Sequence, residues 1–148
     1  MTGAMTAISM IEPAKGVTED MIRRLVETFY GRVLQDEILG PIFRQALAHR
    51  WSEHLAIMVD FWSSIALRTG RYQGKPQQAH RGMALVEGHF GRWLALFEAT
   101  AREVCEPDIA EFFLDRAQRI ADSLQIGLNI GPKALHLPSR PATNGACD

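Results

Sequence analysis

Apolar side chains recur at steps of three and four from Met21 onward. Met21, Ile22, Leu25, Val26, Phe29 and Val33 form one stripe, and it starts behind Thr18 followed by Glu19 and Asp20, an N-cap with an acidic first turn. The spacing predicts a helix over about 18–35. In "EILGPIF" the breakers Gly40 and Pro41 predict only a short helical turn that redirects the chain and presents Phe43. A second long stripe, Leu55, Met58, Phe61, Trp62 and Ile65, runs through "RWSEHLAIMVDFWSSIALRTG", with Gly70 expected to end that helix. Pro76 suits the first turn of a further, short helix of about ten residues that carries His80. Phe90, Trp93, Leu94, Phe97 and Val104 outline the next helix. Ile109, Phe112, Phe113, Ile120, Leu124 and Leu128 outline the last, which starts at Pro107 and is expected to close at Gly131. No segment sustains alternation with period two, so the pattern predicts an all-α fold.

The 148 residues, 47% of them hydrophobic, suffice for one core and one domain. We divide the chain into an N-terminal extension at 1–17, a helical domain at 18–130 and a tail at 131–148. The tail's three prolines and small polar residues predict disorder. A formal net charge of −1, with 16 basic and 17 acidic side chains interspersed, gives no footprint for nucleic acid or an anionic membrane. Neither a basic start followed by an apolar run nor 18 uninterrupted apolar residues occurs, which speaks against export and a membrane span. Cys105 and Cys147 stand far apart without a CxxC pair, so a disulfide framework is not expected and a cytoplasmic location fits.

Chemistry has to be sought among five histidines: His49, His54, His80, His89 and His136. His49 and His136 read as solvated surface. His54 precedes Met58 and Trp62 by four and eight residues and so shares their apolar face; taken alone, such a residue is more often a satisfied core histidine than a ligand. Zinc needs three or four converging ligands, and neither HExxH nor a helical His pair is present. Without GxSxG or a cysteine near a partner, hydrolase chemistry is not expected either.

The order of parts is more specific than any single histidine. "ETFYGRV", "LGPIF", "RWSEHLAIMVDFW", "YQGKPQQAH", "HFGRWLALF" and "DRAQRIADSL", in that sequence, resemble the truncated haemoglobins, and among them the third of the three bacterial groups. The likeness runs from about Met21 to Leu128. The absence of a Gly-Gly pair agrees with a group that lacks the glycine motifs of the other two. The resemblance implies a two-over-two helical sandwich enclosing haem b, with His80 on the iron. It further implies Phe43 against the porphyrin, Tyr30 and Trp93 directing polar hydrogens at the bound gas, His54 as the distal histidine, and Met58 and Trp62 walling the distal side. We add Phe61 and Phe90 as cofactor contacts, and Tyr72, Arg81 and Arg92 as candidates for the haem propionates from their nearness in sequence. His89 remains a rival to His80, because it too precedes a helix and adjoins Phe90.

These assignments are physically coherent. A single proximal histidine leaves one axial position free for a diatomic ligand, and dioxygen there becomes partly anionic and accepts hydrogen bonds from a Tyr O–H and a Trp N–H. Each aromatic residue is equally at home in the core of any helical bundle; only the joint pattern lifts them. The resemblance therefore implies binding of dioxygen, nitric oxide or other small gases by a carrier or sensor. An alternative is a haem enzyme, a nitric oxide dioxygenase or a peroxide-handling catalyst. That enzyme needs an external reductase, since the chain has no GxGxxG. A third alternative is a helical interaction module without haem.

Overall fold

Every element of the computed structural model is helical; it describes residues 16–76, 80 and 83–131. Five α-helices are seen among these residues: α1 (Glu19–Gln35), α2 (Leu39–Leu47), α3 (Trp51–Leu67), α4 (Glu87–Val104) and α5 (Pro107–Gly127), with a 3-10 turn at Ala48–Arg50. The N-terminal extension up to residue 15, the tail after Gly131 and the candidate Arg81 lie outside the described residues. Within the short helix expected after Gly74, Pro76 and His80 are helical. No helix among the described residues is long and apolar enough to cross a membrane.

The first helix forms as its sequence dictates. Thr18 Oγ1 accepts the Met21 N–H at 3.2 Å, satisfying an amide that the helix cannot, and Ile22, Leu25, Val26, Phe29, Tyr30 and Val33 are buried along one face. Asp36 ends α1 and starts α2. Its carboxylate accepts the N–H groups of Ile38 and Leu39 at 3.1 and 2.9 Å, and it receives Arg92 Nε of α4 at 2.6 Å. With its side chain only 9% exposed, one group ties three helices. Arg92, followed by the two amides, holds the Asp36 carboxyl down at about 2 against the opposing effect of burial.

That carboxylate therefore contributes stability that is fully present above its ordinary pKa near 4 and is lost as pH falls towards 2. Asp36→Ala removes a helix cap and an ion pair, and is expected to cost about 1–2 kcal/mol at neutral pH. Urea unfolding followed from pH 7 down to 2 should show the gap between the variant and the natural chain closing with acid.

Three expectations require correction. The "EILGPIF" segment is a nine-residue helix, not a single turn. Pro41 falls in its first turn, where a missing N–H breaks no bond, and Gly40 permits a close crossing, since a Cβ there would lie 2.5 Å from the Leu34 carbonyl oxygen. Gly70 does not end α3; Arg68 does, in the left-handed region at φ 61°. The last helix likewise stops at Gly127, before Gly131, because Asn129 turns left-handed at φ 61° and Ile130 N–H bonds back to the Gln125 carbonyl.

Helix α1 packs on α3, α4 packs on α5, and α1 crosses α4, which gives two layers of two with α2 bridging α1 and α4. Small residues let α4 and α5 approach: Thr100 and Ala101 on one, Ala110, Ala117 and Ala121 on the other, all buried. Aromatic rings fill the centre. Phe97 is stacked between Trp62 (5.4 Å) and Trp93 (5.5 Å), and Phe29 meets Phe97 edge-on at 5.1 Å. Such pairs contribute about 0.5–1.5 kcal/mol each beyond area burial. Their consequence for the site is that Trp93 is held by two rings.

Candidate functional site

Between the layers lies a cavity of about 290 Å³, close to the lower end of ligand pockets at roughly 300–1,000 Å³. Its lining brings together nearly all the residues singled out from the sequence. Tyr30 comes from α1, Phe43 from α2, His54, Met58, Phe61 and Trp62 from α3, and Phe90 and Trp93 from α4; Tyr72 and His80 come from the segment between α3 and α4. Arg92 is not among them, because its guanidinium is held by Asp36 and, at 3.9 Å, approaches Glu37. Leu39, Arg50, Ile57, Leu85, Ile120 and Leu124 also line the cavity and carry no signal in the sequence beyond ordinary helical patterning. Their coming together depends on how the helices pack.

One end of the cavity is an aromatic cluster. The Tyr30 ring is buried, 4.9 Å from His54 and 6.0 Å from Trp51, both edge-on, and 6.1 Å from Phe43. Burial pushes the Tyr30 hydroxyl above its ordinary range, partly offset by the polar indole N–H of Trp93 beside it. Tyr30 O–H and Trp93 N–H thus meet at the cavity wall as coupled groups. His54 lies between Tyr30 and Trp51, and its Nε2 is buried with no hydrogen-bond partner among the described residues. Burial first, then the neighbouring His80 and Arg50, lower the imidazole to about 4, so His54 is neutral at physiological pH. A buried polar atom without a partner is costly, and here it borders a space sized for a ligand.

The two rival iron ligands differ in tautomer. His80 Nδ1 lies 2.6 Å from the Pro76 carbonyl oxygen. A carbonyl only accepts, so Nδ1 carries the hydrogen and Nε2 keeps its lone pair. This is the arrangement in which a backbone carbonyl orients a metal-binding imidazole. His89 shows the reverse. Its Nδ1 accepts the Val86 N–H at 3.1 Å, which places the hydrogen on Nε2 and makes that nitrogen a donor. Both rings line the cavity; only His80 offers it a lone pair.

The segment leading to His80 is pinned to the core. Arg71 reaches Glu19 at 2.8 Å, Asp60 at 3.2 Å and Ser63 Oγ at 2.9 Å, and the Tyr72 N–H donates to Ser64 Oγ at 2.9 Å. The Tyr72 ring then meets Phe61 edge-on at 5.1 Å. An apolar wall, an oriented imidazole lone pair on His80 and a separate polar cluster of Tyr30, His54 and Trp93 together fit a porphyrin iron with one protein ligand.

Comparison with known proteins agrees. No protein-family model matches the chain. It is 34% identical over 113 residues to the group 3 truncated haemoglobin of Campylobacter jejuni, covering 74% of this chain and 89% of that protein. The crystal structure of a group III truncated haemoglobin from Campylobacter jejuni superposes with a TM-score of 0.72 at 33% identity, covering 78% of this chain and 94% of that one.

Proposed function

The chain belongs to the group III truncated haemoglobins, and on that premise we propose that it holds haem b through His80 and reversibly binds dioxygen, nitric oxide or another small gas. Membership of the family implies the haem cofactor and the small gaseous ligand; the residues, the haem type and the choice of gas are our reading. The observation that carries it is the tautomer of His80, whose Nδ1–H is engaged by Pro76 O while Nε2 is left as a lone-pair donor beside the cavity.

When bound, haem supplies an iron position for a diatomic gas and draws negative charge to the gas's outer atom. The protein supplies the rest. Phe43, Phe61 and Phe90 offer apolar surface to a flat ring, and Met58 and Trp62 close the wall behind it. Tyr30 O–H and Trp93 N–H present protons to a polarised ligand, and the aromatic stack on Phe97 keeps Trp93 from swinging away. His54, neutral and with a free Nε2, can donate or accept at the same place. For the porphyrin carboxylates the cavity provides Tyr72 O–H and His89 Nε2–H. We place this gas carrier or sensor in the cytoplasm, as the cysteine usage leads us to expect.

Titrating haem-free protein with haemin tests the reading. One haem per chain, with an intense blue-edge absorption band and quenching of the tryptophan fluorescence from Trp51, Trp62 and Trp93, is the expected result. Binding that is unsaturable and leaves the fluorescence unaltered would contradict it.

A further inference from the structure

We propose that Arg50 draws small inorganic anions into the cavity, so that anionic ligands such as azide or nitrite enter faster, relative to neutral ones, than the pocket's shape alone would allow. This rests on the reading of the cavity as a haem pocket and adds to it a residue that sets how fast ligands of different charge enter.

Three observations carry the inference. Arg50 is the one permanently charged side chain among the described residues lining the cavity, and no carboxylate lines it. Second, the other guanidiniums beside the cavity walls are committed: Arg71 to Glu19 and Asp60, Arg92 to Asp36 and Glu37. Arg50 is exposed and ion-paired to none of the described carboxylates. Third, its charge is felt inside, where it acts on the imidazole of His54. An uncompensated cation at the mouth of a low-dielectric cleft concentrates field lines in the cleft and speeds entry of the opposite charge. The unpaired His54 Nε2 lies further in, where an arriving anion meets a polar atom that no protein group satisfies.

Rapid mixing of ferric holoprotein with azide, and separately with neutral imidazole at pH 8, tests this. Arg50→Gln is expected to lower the azide-to-imidazole ratio of association rates by about threefold or more, below the tenfold-or-greater effects of clefts lined by many charges. The same change should flatten the dependence of the azide rate on ionic strength, because less of the attraction that salt screens then remains. Arg50→Lys keeps the charge and should keep the ratio. An unchanged ratio in Arg50→Gln overturns the proposal. If haem loss to an acceptor protein accelerates in the same variant while the ratio stays put, Arg50 holds a porphyrin carboxylate instead, which also overturns it. Failure of the natural chain to take up haem at all would show separately that the haem reading is wrong.

Discussion

Tyr30→Phe is expected to speed dioxygen release about tenfold or more, and Trp93→Phe to have an effect of the same order. A hydrogen bond to a charged acceptor contributes on the order of 1.5–3 kcal/mol, and each 1.4 kcal/mol is a factor of ten. Each substitution keeps an aromatic ring in place. Phe at position 30 keeps the edge contacts to Phe29 at 4.8 Å and His54 at 4.9 Å and loses only the hydroxyl. Phe at position 93 keeps a ring to stack on Phe97 and loses the N–H together with the five-membered ring, a volume change that the carbon monoxide control reads out. The two donors also adjoin one another, close enough for Trp93 to act on the Tyr30 hydroxyl. Removing both should therefore give less than the product of the single effects, as neighbours in one network do. Carbon monoxide gains less negative charge when bound and serves as the control; its release should change far less. Flash photolysis or ligand displacement with both gases reads this directly. Equal shifts for the two gases would assign the effect to pocket volume, and unchanged dioxygen release would remove Tyr30 and Trp93 from the mechanism.

The helices were legible wherever burial follows a stripe. Ile22, Leu25, Val26, Phe29 and Val33 point one way because the core lies on one side, and Thr18 marks the start because only a side-chain oxygen satisfies the Met21 amide. Breakers misled where context outweighs propensity. Pro41 is harmless in a first turn, and Arg68 and Asn129 take left-handed positions that glycine would be expected to fill. The residues that line the cavity were legible as an ordered set of motifs and not from local pattern, since Phe61, Trp62 and Phe90 look like any core residues. Arg50 was missed because nothing near it in sequence says that it borders a cavity formed by Tyr30, Phe43 and Trp93. The difference between His80 and His89 was also hidden. It depends on which backbone group each Nδ1 meets, and that is fixed only once α4 starts at Glu87 and the Val86 N–H faces back toward His89.

His80→Gly is expected to yield a folded protein nearly devoid of haem. His80 is half-buried at the cavity, and its ring is bonded to Pro76 O and not into the core formed by Phe29, Trp62, Phe97 and Phe113. Its loss therefore empties the ligand position without removing a core side chain. Glycine leaves a space the size of the lost ring, and free imidazole can fill it and supply the same lone pair. His89→Gly removes only a donor and a helix-start contact, so it should retain haem with a small loss of stability. The visible spectra of these two variants, each recorded with and without added imidazole, test the central claim most directly. The account predicts a haem band in His89→Gly throughout and in His80→Gly only after imidazole is added; a full band in His80→Gly without imidazole, together with none in His89→Gly, would contradict it.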